Sequence, residues 1–197
     1  RHSFVIDPRL TPGMTFRAFI SVDIPWEGRL EDILRKIHLA DATLKTVDPS
    51  LMHVTLKFLG DTEESKVRGI SECMRKAIEG AVPFDLSLKG MGAFPHKDRP
   101  RVIWVGLENA QPLAVIARRL EDLLSPLGFQ PERRGFTPHL TVARARVEKS
   151  VPAVRTILDE NAHTYLGKAH VDRIRLKKSV LTRSGPIYTT VDETLFR

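Results

Sequence analysis

Nine residues, Leu51 to Leu59 (Leu-Met-His-Val-Thr-Leu-Lys-Phe-Leu), constrain this chain more than any other stretch. Met52, Val54, Leu56 and Phe58 alternate with His53, Thr55 and Lys57, the period-two pattern of a half-buried strand whose successive side chains leave opposite faces. Such a strand buries its apolar set and lines its other face with an imidazole, a hydroxyl and an ammonium. Eighty-six residues later the pattern returns in Pro138 to Arg144, where His139 and Thr141 again stand two apart on one face. His-x-Thr by itself is a weak signal. Requiring an aliphatic residue at both intervening positions lowers the chance expectation to roughly 0.03 occurrences in a chain of this composition.

Around these two strands the periodicity alternates between two and 3.6. Phe16 to Asp23 reads as a strand, Leu30, Ile33, Leu34 and Ile37 as the buried stripe of a helix, and Asp48-Pro49-Ser50 as a turn into the His53 strand. Asp61 or Thr62 is placed to cap a helix with Val67, Ile70, Met74, Ala77 and Ile78 on its apolar face. Phe84 to Leu88 and Val102 to Leu107 read as strands. The Gly-, Pro- and charge-rich stretch from Gly90 to Arg101 reads as an exposed loop between them. A helix follows from Pro112 to Gly128, then the His139 strand, then a short helix around Val154, Ile157 and Leu158. Tyr165 to Leu181 and Ile187 to Leu195 read as the two strands of a terminal hairpin. The order is an approximate doubling with one His-x-Thr strand per half. The expected fold is α+β and bilobal: two similar lobes, each an antiparallel sheet with helices, facing each other across a cleft.

The chain has 197 residues, enough for a sizeable core, and a net charge of +7 with a pI near 9.8, which favours polyanionic partners. Cys73 is the only cysteine and falls on an apolar helical stripe, so the expected setting is the reducing cytoplasm. No apolar run reaches the length of a membrane span. Residues 1–13 lack periodicity and are expected to be a tag remnant or a disordered extension. Met14 is then the expected natural start, and residues 14–197 form one bilobal domain.

Two histidines facing one cleft supply a proton acceptor and a proton donor near neutral pH, because the imidazole pKa is about 6.5. In-line displacement at a phosphodiester needs that pair. Each threonine offers an O–H to a non-bridging phosphate oxygen, where charge gathers in the transition state. The sequence has no HExxH, His-x-His or cysteine cluster to complete a metal set, no Gly-x-Ser-x-Gly elbow, and no Walker or GxGxxG loop. The expectation is therefore chemistry without a metal or cofactor. Two alternatives stand beside it: a module that binds RNA or nucleotide phosphate without turnover, and a phosphodiesterase for small cyclic phosphates or 2'-5' oligonucleotides.

His53-Val54-Thr55-Leu56 and His139-Leu140-Thr141-Val142 resemble the paired motifs of the two-histidine phosphoesterases, most closely the RNA 2',3'-cyclic phosphodiesterases historically called 2'-5' RNA ligases. Arg17 to Asp23 resembles that family's opening strand and Pro100 to Gly106 its central one. The resemblance implies metal-free opening of a terminal 2',3'-cyclic phosphate to a 2'-phosphate, with reversible 2'-5' joining of RNA ends, tRNA halves among them, by a monomer. It implies His53 and His139 as the catalytic pair and Thr55, Thr141 and Arg144 as phosphate ligands, although simple alternation turns Arg144 away from His139. His53 is taken as the acid for O3' and His139 as the base for water, an order the sequence alone does not fix. Phe19, Lys57 and Tyr188 are further candidates for contact with base or RNA. Arg133, Arg134, Arg146, Lys177, Lys178 and Arg183 are candidates for a basic rim.

Overall fold

The structure, a computed structural model, describes residues 15–24, 29–132, 135–183 and 185–197. The expected extension at residues 1–13 and the expected start at Met14 lie outside them, as do Arg133 and Arg134 of the basic rim.

Strand β1 (Thr15–Asp23) buries residues on both faces, including Ala18, Phe19, Ile20 and Ser21, because it is an interior strand. Helix α1 (Arg29–Ala40) buries Leu30, Ile33, Leu34 and Ile37 on a single stripe and carries Glu31 and Asp32 in its first turn, where the helix dipole favours them. A short strand β2 (Leu44–Thr46) follows. Then a single 3-10 turn (Pro49–Leu51), in which the Asp48 carboxylate accepts from Ser50 N at 2.8 Å, delivers the chain into β3 (His53–Glu63). Because β3 runs on to Glu63, Asp61 and Thr62 are strand residues and not helix caps. Helix α2 (Val67–Ala77) starts one 3-10 turn later.

Strands β4 (Phe84–His96) and β5 (Arg99–Glu108) form a long hairpin that absorbs most of the stretch expected to be a loop. The glycines there are sites of close approach rather than turn formers. A Cβ on Gly92 would overlap the Trp104 ring, and one on Gly90 would lie 2.5 Å from the Ala162 carbonyl oxygen. Helix α3 (Gln111–Leu124) has Pro112 in its first turn, and the chain leaves the following 3-10 turn at Gly128 with φ +90°. Strand β6 (His139–Ala145), helix α4 (Pro152–Glu160), β7 (Tyr165–Val171), β8 (Arg173–Leu181) and β9 (Pro186–Leu195) complete the chain. The apolar run from Tyr165 is thus two strands broken at Asp172, not one.

The fold is α+β, with two antiparallel sheets and four helices among the described residues. One sheet has the order β3-β1-β8-β9 and packs with α2 and α3; the other has the order β2-β6-β5-β4-β7 and packs with α1 and α4. The His53 strand belongs to the first sheet and the His139 strand to the second. The lobes are not successive halves of the chain, however. β8 and β9 return to pair beside β1, and α1 and β2 cross to the other lobe before β3 is reached. This interleaving, together with one continuous buried cluster from Phe16 to Phe196, fixes the lobes against each other.

Candidate active site

Both His-x-Thr strands contain the same irregularity. In β3, Ser21 of β1 pairs with Thr55 and Ile20 with Lys57, so Leu56 is an extra residue; in β6, Trp104 of β5 pairs with Thr141 and Ile103 with Ala143, so Val142 is extra. A bulge of this kind reverses the parity of every residue beyond it. Two consecutive side chains therefore point inward, Leu56 with Lys57 and Val142 with Ala143, and the next one turns toward the cleft. Phe58 and Arg144, each three residues past a threonine, occupy these corresponding outward positions.

The imidazoles are held alike. Nδ1 of His53 lies 2.8 Å from Leu51 O, and Nδ1 of His139 lies 2.8 Å from Thr137 O. A carbonyl oxygen can only accept, so Nδ1 carries the proton in the neutral ring and Nε2 is left as the reactive nitrogen. Their surroundings differ. His53 sits 4.9 Å from the Phe19 ring and 5.2 Å, edge-on, from Tyr188; His139 has Phe94 edge-on at 5.5 Å, itself packed on the Trp104 ring. Burial pushes the His53 pKa down and the nearby Lys177 charge adds to this, against the opposing pull of the Leu51 carbonyl and Asp23. His53 is accordingly neutral at pH 7. Burial also raises the Tyr188 phenol, which stays a donor.

The two rings line one pocket of about 70 Å³ together with Val47, Thr55, Thr141, Arg144 and Tyr188. The lining holds two imidazoles, three hydroxyls and one guanidinium but no carboxylate, so its chemistry favours an anion. Arg144 Nη2 stands 3.5 Å from Thr141 Oγ1, which sets the guanidinium beside the second motif. A cavity of about 540 Å³ between α2 and the end of β9 contains no histidine and lies away from both motifs.

The sequence model described as the 2'-5' RNA ligase superfamily matches residues 31–181. Two proteins named RNA 2',3'-cyclic phosphodiesterase are similar to the chain over nearly its whole length. The one from Methanothermobacter thermautotrophicus is 37% identical, covering 91% of this chain and 98% of its own; the one from Aeropyrum pernix is 40% identical, covering 84% and 94%. The chain belongs to the 2'-5' RNA ligase superfamily. Among solved structures of similar fold, TT0787 of Thermus thermophilus has a TM-score of 0.71 at 25% identity over 92% of this chain and 98% of its own. Apo LigT of E. coli has 0.69 at 21% over 92% and 98%, a likeness of fold.

Within this superfamily fold, His53, Thr55, His139, Thr141, Arg144 and Tyr188 all meet in the one pocket. Lys57 does not. It is 1% exposed, its ammonium bound to both Glu121 carboxylate oxygens (2.9 and 2.8 Å) and to Gln130 O (2.6 Å), because the bulge turns it inward. Phe19, at 4% exposure, backs the His53 ring and offers no face to a base. Lys177 of the expected rim is likewise buried, paired with Asp23 behind His53. Arg146 and Arg183 are exposed, and Lys178 covers the Phe16 ring. Alternation alone missed Phe58 and Phe94. The doublet Val142-Ala143, two apolar residues in succession, was the available sign of a bulge.

Proposed function

We propose that this protein hydrolyses the terminal 2',3'-cyclic phosphate of RNA to a 2'-phosphate without a metal, and that the same site, with a 5'-hydroxyl in place of water, joins ends reversibly through a 2'-5' bond. The observation that carries the reading is the meeting of two imidazoles, each with its own threonine, in a single anion-favouring pocket. The names and close similarity of the relatives support the same chemistry.

In the proposed reaction, His139 Nε2 takes a proton from water as the water oxygen attacks phosphorus in line. The P–O3' bond breaks, and His53 Nε2 delivers its proton to the departing O3'. One water is consumed and the two rings exchange protonation states. With a 5'-hydroxyl in place of water the same step, His139 as base and His53 as acid for O3', forms a 2'-5' phosphodiester, and from the exchanged state its reversal cleaves that bond. Thr55, Thr141 and Arg144 donate to the non-bridging oxygens as their charge rises. The acid role requires His53 to be protonated in the complex. Its environment keeps the ring neutral in the free protein, so the arriving phosphate charge supplies what the proton needs. Because one chain provides both motifs, a monomer suffices; RNA ends in the cytoplasm, tRNA halves included, are the proposed substrates.

The test is a defined RNA ending in a 2',3'-cyclic phosphate, incubated with and without EDTA, with the product's phosphate position mapped. The expected result is a 2'-phosphate at an unchanged rate, and a loss of turnover of about 10³-fold or more in His53→Ala and His139→Ala with the fold intact. A 3'-phosphate product would reverse the polarity. Wild-type turnover in either variant would exclude the mechanism.

A further inference from the structure

Two opposite charges, Asp23 and Lys177, stand on the sheet side of His53, and neither lines the pocket in which that ring works. Asp23 ends β1 and is the cross-strand partner of His53. Lys177 on β8 is the partner of Phe19, four residues back along β1, and the Phe19 ring lies against the His53 ring at 4.9 Å. Between Phe19 and Asp23 on the same face is Ser21, fully buried, whose hydroxyl has no hydrogen-bond partner among the described residues. Its small side chain leaves the lysine a path along the strand.

The Lys177 ammonium uses that path to reach Asp23 Oδ1, while Arg175 Nη1 holds Oδ2 at 2.8 Å and itself donates through Nε to Glu193 on β9 at 3.1 Å. Both carboxylate oxygens are thereby fixed from β8. Lys177 is 7% exposed. Burying an ion pair adds little stability over an apolar side chain of similar volume, so the charges themselves are what a methionine at this place would lack. The other groups that face His53 are the Leu51 carbonyl at Nδ1, the neutral Tyr188 phenol on β9, and His139 and Arg144 across the pocket on β6. In the proposed complex Arg144 is met by the phosphate, which leaves Lys177 and Asp23 as the charges behind the ring.

We infer that Asp23 and Lys177 are positioning residues that act through His53: Asp23 holds the ammonium behind the ring, and the balance of the two charges decides when the ring carries the proton it delivers to O3'. The inference rests on the function proposed above for that delivery. A ring backed by the ammonium alone would lose its proton before the phosphate arrives; one backed by the carboxylate alone would hold it against the departing oxygen. The pair sets the ring between these limits. Lys177 thus serves the reaction without touching the substrate.

NMR titration of the His53 ring in the ligand-free protein tests this, together with kcat on an RNA ending in a 2',3'-cyclic phosphate from about pH 6 to about pH 8. Lys177→Met removes one positive charge and leaves Asp23 its bond to Arg175, so the titration midpoint should rise. Asp23→Asn should move the midpoint down; kcat at about pH 8 should fall about ten-fold and recover in part at lower pH, because the protonated ring has become scarce. Lys177→Arg, which keeps the charge, should match the wild type, and the double variant Asp23→Asn with Lys177→Met should titrate between the two singles. Disturbed packing would lower kcat at every pH and would not move the midpoints in opposite directions. Midpoints that stand still, or move the same way in both single variants, overturn the inference. Should Asp23→Asn fail to fold, Lys177→Met and Lys177→Arg decide: a rise in the first alone supports the inference, and equal midpoints overturn it. A wild type without turnover on this RNA would overturn the proposed function and with it the role in proton delivery, while the midpoints would still show whether the pair acts on the ring.

Discussion

Lys57 on the first His-x-Thr strand and Glu121 on α3 form an ion pair at 2.8 Å in which the ammonium is almost wholly buried and the carboxylate mostly so. The same ammonium holds Gln130 O, and Glu121 accepts from the backbone N of Glu132 at 3.4 Å. Three separate segments are thereby tied at one point: the strand that carries His53, helix α3, and the connection leading toward His139.

Lys57→Met should destabilise the protein by about 2–4 kcal/mol, because it leaves a partly buried carboxylate and a carbonyl without their cation. The double variant with Glu121→Leu should recover much of that loss, since the orphaned charge is gone. Denaturant unfolding of the two variants checks both statements. A single variant as stable as wild type would mean that water takes over the role of the ammonium.

Removing one hydroxyl at a time should separate the threonines from the histidines. Thr55→Val and Thr141→Val are each expected to lower kcat by about 10²-fold with KM little changed, whereas Thr→Ser at either position should retain most activity. The two valine variants should be similar to each other, as their places past the two histidines are the same. A change confined to KM would assign the hydroxyls to ground-state binding.

The lowered pKa of His53 has a consequence for binding as well as turnover. A phosphate anion beside the ring favours its charged form, so the bound pKa lies above the free one. Between these two values binding must take up a proton, and affinity for a phosphate-bearing product must fall as pH rises. Calorimetric titration in buffers of different ionisation enthalpy should report net proton uptake near neutral pH, and His53→Gln should abolish it. Proton release on binding would contradict the acid role of this ring.

Gly92→Ala should cost about 1–3 kcal/mol, because its Cβ would overlap the Trp104 ring and push a packed strand pair apart. Trp104 packs on Phe94, and Phe94 meets His139, so kcat should fall along with the unfolding midpoint. A loss of stability with kcat unchanged would show that the aromatic chain does not position the histidine.

Much of the site was legible because strand periodicity is a local property: His53 and Thr55, and His139 and Thr141, share faces simply by standing two apart. What was lost lies past the bulges. In the second motif Val142-Ala143 interrupts the alternation openly, and it carries Arg144 to the face that simple counting denied it. In the first motif Lys57 takes the place of Ala143, and a lysine counted as polar hides the same interruption. Its aliphatic stem is buried and its charge is met by Glu121, 64 residues away, a partner that no local pattern announces. The interleaving of the lobes escaped for a related reason. Which strands pair is decided by packing between distant segments, and the return of β8 to β1 leaves no mark in either strand's own alternation. The glycines of β4 read as loop signals because close packing against Trp104 and Ala162 requires the same residue that turns do.

The place of β1 between β3 and β8 imposes an order on synthesis. As the polypeptide leaves the ribosome, β1 can pair on one side early, but its other edge stays open until more than 150 residues later, when Arg175 to Ser179 arrive to close it. Tyr188 arrives later still, on the neighbouring strand. A nascent chain therefore exposes an unpaired strand edge for most of its elongation, and the pocket that holds both histidines closes only when the β8–β9 hairpin brings Tyr188 to it.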